Sequence, residues 1–408
     1  MTIVAPKPAT SRDNRVDFWR GIALIMIFVN HVPGNFWERY TSRNFGFSDA
    51  AELFVFLAGF AAAFAYGRPF LAGQRLFATV KAFRRAGTLF LVQMTLTMLT
   101  IGLFAWAAMA FGEGELMRRM NLGALSSEPL EAFFGLASLG HQFGYVNILP
   151  MYIVLLLMVP IHLWLASISR ELMLGTAIAV WASSWAFYLN IPAFPNPGGW
   201  FFNPIAWQVI FAAGLYGGLR KVDGKPSVPY KPWLLGLALA YLLFAFVTTR
   251  YGLWFLIYGL DPVLPPAIAS LDKTFAAVPR VLHVIALAYV FANAVSHSPF
   301  AKIDRTNIVA AMGRHSLPVF ACGTILSLIC QVIKFGREQE FVFDTSLLLA
   351  GLALQFALVW WLEWWGAYQK SVAKSREAKN ASQASVIAAA VPLPNTAPAS
   401  YLKKTGTR

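Results

Sequence analysis

The chain has 408 residues, 58% hydrophobic and only 13% charged, with a net charge of +14 and a mean hydropathy of +0.57. So few charges cannot coat a soluble protein of this length, and apolar runs near the ~20 residues that cross a bilayer as a helix recur along most of it. The short alternating strands of a membrane β-barrel are not seen. The composition therefore predicts an all-α, polytopic integral membrane protein whose first partner is the lipid bilayer. No nucleic-acid motif or free basic domain accompanies the positive charge, which excludes nucleic acid as a partner.

In chain order, residues 1–14 are polar and read as a disordered cytoplasmic N-terminus. Ten transmembrane helices are then expected at roughly 16–33, 48–66, 82–111, 145–167, 172–190, 203–219, 233–249, 280–297, 308–334 and 345–369. The first run lacks a small-residue cleavage site after it and reads as a retained helix. Together these make a transmembrane domain over 15–369, followed by a flexible cytoplasmic tail at 370–408 that contains "ASQASVIAAAVPLPNTAPAS". With the N-terminus inside, 23 of the 33 Lys and Arg fall in inner segments, nine in outer ones, and Arg314 inside the ninth helix. That bias places both termini in the cytoplasm. Cys322 and Cys330 lie eight apart on one expected helix, ~12 Å along its axis, too far for a disulfide. No zinc spacing, Walker loop or G-x-S-x-G elbow occurs, and no metal is indicated. No feature of the sequence sets an oligomeric state.

Polar groups inside an apolar span are costly and point to function. In "RVDFWRGIALIMIFVNHV", Arg20 and His31 are eleven residues apart, close to three helical turns, so they share a face ~16 Å apart along the axis. Arg20 lies near the inner surface and His31 in the outer half. The plainer alternative is a snorkelling topology charge and an interfacial histidine beside Pro33. Asp17 is the inner partner expected for Arg15 or Arg20. Glu52, near the outer start of the second helix, sits at a depth similar to His31 and would orient it; alternatively it is a first-turn acid favoured by the helix dipole. Asn147, Trp207 and Gln208 combine amides with aromatic rings at outer helix starts, which suits a sugar, although aromatic belts and caps such as Asn203 before Pro204 explain part of that pattern. Arg280 and His283 share an outer helix face where Arg280 could meet an anion. Arg314 could join Arg20 on a cytosolic one.

The segment "RVDFWRGIALIMIFVNH" resembles the first helix of the acyltransferase family 3 proteins, in which an arginine and a histidine are separated by ten residues; Arg20 and His31 match, with Asp17 as the preceding acid. "DAAELFVFLAGFAAAFAYG", "GYVNILPMYIVLL", "GWFFNPIAWQ" and "GRHSLPVFACG" resemble more closely the OpgC family, which modifies osmoregulated periplasmic glucans. The resemblance implies a bacterial inner-membrane O-acyltransferase that holds no cofactor. Its donor would be cytosolic acyl-CoA, succinyl-CoA in the named activity, and its acceptor a periplasmic glycan. On this reading Arg20 and Arg314 bind acyl-CoA and His31, oriented by Glu52, is the catalytic base, with a covalent acyl-histidine as the other route. Asn147, Trp207, Gln208, Arg280 and His283 would bind acceptor or acyl group, Arg280 taking the free carboxylate of a dicarboxylic acyl chain. A membrane exporter of a glycan or lipid-linked sugar is the competing expectation.

Overall fold

In the computed structural model, residues 13–112, 114–261, 263–293 and 302–390 are described. The main helices are α1 (Asn14–Asn30), α2 (Ala50–Leu71), α3 (Arg75–Phe111), α4 (Ile148–Ile168), α5 (Arg170–Ala186) and α6 (Pro204–Val222). Then come α7 (Pro232–Tyr251), α8 (Val278–Ala292), α9 (Ile308–Arg314), α10 (Ser316–Ile333) and α11 (Phe341–Ala390). Short helices fill the connection from α3 to α4 and the one from α7 to α8. Among the described residues β pairing amounts to one isolated bridge, Pro192 to Gly199.

Among the described residues six helices, α2, α3, α4, α7, α10 and α11, are long and apolar enough to cross a membrane. The protein is an all-helical polytopic membrane protein. The other expected spans exist as helices, but α1, α5 and α8 have only 17, 17 and 15 residues. The chain forms two compact units, Met1–Val359 and Trp360–Arg408. The boundary lies inside α11, ahead of the expected end at 369, because no described residue from Trp360 on is buried. Within the second unit, Trp361 and Trp365 stack 6.4 Å apart. The helix runs past Lys370 to Ala390, where composition predicts a flexible tail; alanine-rich sequence supports a helix without further packing. Residues 1–12 of the expected N-terminal tail and 391–408 of the expected C-terminal tail lie outside the described residues.

Side-chain caps start several helices. Asp13 accepts the Arg15 N–H at 3.0 Å at the start of α1. At the start of α6, Asn203 accepts the Ile205 N–H at 3.1 Å ahead of Pro204, as the Asn-Pro pair predicts. At α2, Asp49 accepts the Ala51 N–H at 2.8 Å while Glu52 takes the Asp49 N–H at 2.9 Å. This reciprocal capping box is written in the sequence as D-A-A-E.

Two close crossings bring pairs of helices together. A Cβ on Gly59 or Gly214 would fall on the backbone carbonyl of Phe211 or Phe56, so α2 and α6 meet backbone to backbone. Gly21 and Gly313 bring α1 against α9 in the same way. The ninth expected helix, a single run over 308–334, is instead broken at His315 into α9 and α10. Pro318 has no N–H to give the Arg314 carbonyl four residues earlier, and its ring clashes there.

Candidate active site

The turn after α1 is held from several sides. The His31 N–H donates to the Ile27 carbonyl at 3.0 Å, and the His31 carbonyl accepts the Gln331 amide of α10 at 2.6 Å. Asn30 accepts the Thr41 hydroxyl at 2.6 Å. The imidazole meets the Tyr145 ring edge-on, 5.1 Å between centroids. Tyr145 holds φ +64°, a left-handed conformation uncommon for a residue with a Cβ. Strain of this kind gathers at functional sites because the surrounding structure has to enforce it. Nδ1 of His31 is buried with no hydrogen-bond partner among the described residues. Leaving such an atom unpaired costs about 1–3 kcal/mol, so its retention calls for a reason. His31 lines a cavity of about 340 Å³ together with Asn30, Arg43, Asp49, Tyr145, Asn147, Lys273, Phe201, Phe202 and Phe320.

Behind this chamber lies a network of ion pairs. The Lys273 ammonium is 2.5 Å from the Asp49 carboxylate, and Arg280 reaches Asp49 at 3.7 Å. Burial pushes the Asp49 carboxyl up, but Lys273 and Arg280 outweigh it and hold the group well below the usual carboxylate range. Arg280 gives its main contacts to Glu52, with Nη2 at 2.5 Å and Nε at 2.7 Å.

Glu52 therefore does not take the place expected for it. It is fully buried, one carboxylate oxygen closes the capping box and the other holds Arg280, and no hydrogen bond joins it to His31. The carboxylate on the His31 chamber wall is Asp49. Arg280 is likewise occupied by acids and is not among the lining residues of the chamber. His283 is buried, its Nδ1 2.7 Å from the Ser48 hydroxyl. Trp207 is fully buried and donates its indole N–H to the Lys273 carbonyl at 2.8 Å. It holds the lysine loop in place and offers no ring face to a sugar. Gln208 is spent on packing: its amide donates to the Ala177 carbonyl at 2.6 Å and its oxygen meets His162 at 3.2 Å. Of the residues expected to bind acceptor, Asn147 is the one on the chamber wall.

The other end of α1 carries a second cavity of about 230 Å³, lined by Arg20, Arg85 and Arg314 with Tyr66 and Tyr152. Arg20 is held there by the Leu57 carbonyl at 3.2 Å and by Asp17 and the Gly313 carbonyl, each at 3.4 Å. The expected Asp17 partner and the expected neighbour Arg314 are thus both present. The break at His315 ends α9 on Arg314, which lies on the same wall as Arg20. Tyr66 sits in a π-helical turn of α2 over Ala63–Gly67, a distortion frequent at functional sites. Phe320 lines both cavities and contacts Phe54, with ring centroids 6.4 Å apart.

Four residues of the two walls escape a reading by apolar spans. Arg43 and Lys273 sit between the long helices where charge is unremarkable, Arg85 reads as one more inner-segment cation, and Tyr145 reads as the first residue of an expected span although its helix starts three residues later. Asp49 was findable as the first letter of the capping box. A protein-family model described as OpgC protein matches residues 12–367. No curated protein and no solved structure matches the chain.

Proposed function

The chain belongs to the OpgC family, and from that premise we propose that it is a transmembrane O-acyltransferase of the bacterial inner membrane. All ten long helical segments cross the bilayer, with both termini in the cytoplasm. It moves an acyl group, succinyl by family, from cytosolic acyl-CoA to a hydroxyl of a periplasmic glycan, by family an osmoregulated glucan. One observation carries the reading: a cavity lined by three arginines and a cavity lined by His31 lie along one helix and share Phe320 as wall.

The arginine-lined cavity suits the phosphates of coenzyme A, since guanidinium groups grip phosphate through paired, charge-assisted hydrogen bonds. The pantetheine arm passes Phe320 toward His31. There the acceptor hydroxyl attacks the thioester carbonyl carbon while His31 takes its proton. The tetrahedral intermediate collapses, the C–S bond breaks, and the imidazolium returns the proton to the leaving thiolate. Asn147 and the Tyr145 ring offer the acceptor an amide and a stacking face.

The test is transfer by purified protein in nanodiscs from radiolabelled succinyl-CoA and acetyl-CoA to periplasmic glucan, for wild type and His31→Ala. Label on the glucan with wild type and not with the variant supports the reading. Equal transfer by a folded His31→Ala protein refutes the role of His31. No transfer by wild type to a broad panel of glycans refutes the enzyme.

A further inference from the structure

The His31 chamber carries two loop cations that the transfer chemistry above does not use. Lys273 has three N–H bonds, and among the described residues its hydrogen-bonding acceptor is Asp49. The ammonium otherwise faces the rings of Phe202 and Phe201, at 5.3 and 5.8 Å from their centroids. Arg43 meets Glu38 at 3.5 Å through one nitrogen, which leaves most of its five donors open. The wall of the chamber thus presents two cations against one acid, Asp49. Asp49 is already used by the Ala51 N–H, Lys273 and Arg280. An anion entering the chamber finds spare donors, whereas the one acid on its wall already has two cations as partners. The lysine is also built into its place: Trp207 anchors its backbone carbonyl from the core, and two phenylalanines flank its ammonium. Aromatic rings beside an ammonium exclude water and strengthen its pairing with an anion.

We propose that Lys273, with Arg43, forms a carboxylate subsite in the His31 chamber that selects an acyl chain ending in a free carboxylate. This inference rests on the acyl-transfer reading and assigns the residues that would recognise the free carboxylate. It replaces Arg280, which Glu52 and Asp49 occupy, as the cation for that carboxylate. Donor choice would then be made beside the reacting thioester, far from the end of α1 that holds the coenzyme.

Succinyl-CoA and butyryl-CoA carry four-carbon acyl groups that differ in the distal carboxylate. The full-length protein in nanodiscs is offered each with periplasmic glucan, and kcat/KM is compared for wild type, Lys273→Met, Lys273→Arg and Arg43→Gln. The expected result is a wild-type preference for succinyl-CoA. The succinyl-to-butyryl ratio then falls about 10- to 100-fold in Lys273→Met, the range of a hydrogen bond to a charged group. A smaller fall is expected in Arg43→Gln, whose side chain is half exposed, and the preference is retained in Lys273→Arg. A Lys273→Met protein that loses both donors in proportion would make the lysine a mere prop for Asp49 and overturn the subsite. Because the ratio decides, a general loss of folded protein does not mimic the expected result, and Arg43→Gln tests the same subsite from an exposed position. Equal use of both donors by wild type overturns the subsite while acyl transfer stands. Transfer of neither overturns both.

Discussion

At the Arg20 end of α1, the cavity wall holds three arginines and two tyrosines, and no carboxylate is among its lining residues. At the His31 end, a carboxylate and two cations surround a histidine whose Nδ1 has no hydrogen-bond partner among the described residues. Both cavities are built on the same helix and share Phe320, yet they suit different work. A cation-rich wall gains most from a polyanion that arrives with its own charge. A wall that sets a histidine among charges of both signs offers a group that can accept a proton. One helix thus carries, along its length, two cavities of different charge.

The sharpest way to break this contrast is to remove the imidazole. His31→Ala should lower kcat by about 10²–10⁴-fold, the usual contribution of a general base, with coenzyme affinity and thermal midpoint unchanged. Glycan labelling under single-turnover conditions reads the first quantity, and a tryptophan-fluorescence melt in detergent reads the last. A parallel rise in the dissociation constant for acyl-CoA would mean that the two ends are not separable.

Next in size is the ion pair behind the His31 chamber. Glu52 is fully buried and the Arg280 side chain 12% exposed. Glu52→Gln leaves that guanidinium short of charge and should cost about 3–5 kcal/mol of stability. The loss should appear as a lower melting temperature, while the protein that remains folded keeps its transfer rate. A variant that is stable but inactive would return Glu52 to catalysis.

The arginine end gives a third test. Arg85→Gln should raise the KM for acyl-CoA about 10- to 100-fold, the worth of one charge-assisted hydrogen bond, and leave kcat alone. A fall in kcat at saturating donor would instead place the reacting thioester at this end. The smallest effect belongs to Trp207→Phe, which deletes one indole hydrogen bond to the Lys273 carbonyl and should cost about 1 kcal/mol. A loss of acceptor affinity larger than that fraction would put Trp207 back among the residues that touch the sugar.

Local pattern carried much of this structure. Every expected helical segment has a helix in it, because apolar runs of this length have few other folded states in a bilayer. The Asp17–Arg20 pair and the shared wall of Arg20 and Arg314 were legible too. Depth along a helix was a poorer guide. Glu52 and His31 share a depth, yet the Glu52 side chain turns back to its own helix start and to Arg280. The break at His315 was readable from Pro318, but a strong apolar run concealed it.

The sequence by itself determined the class, the helices and the shared face of Arg20 and His31 along the first helix, because hydrophobic run length, capping residues and the eleven-residue spacing act within a segment. Only the tertiary structure decided which charges neutralise one another and which face a cavity. Trp207 and Gln208 look like sugar ligands until α6 is seen buried, with Trp207 fixing a distant loop and Gln208 tying α4 and α5. Asp49, Lys273 and Arg43 look like loop charges until the crossing of α2 with α6 and the fold of the loop before α8 are known. Partner choice among charged groups depends on distances between residues far apart in the chain, and helical periodicity carries no information about those.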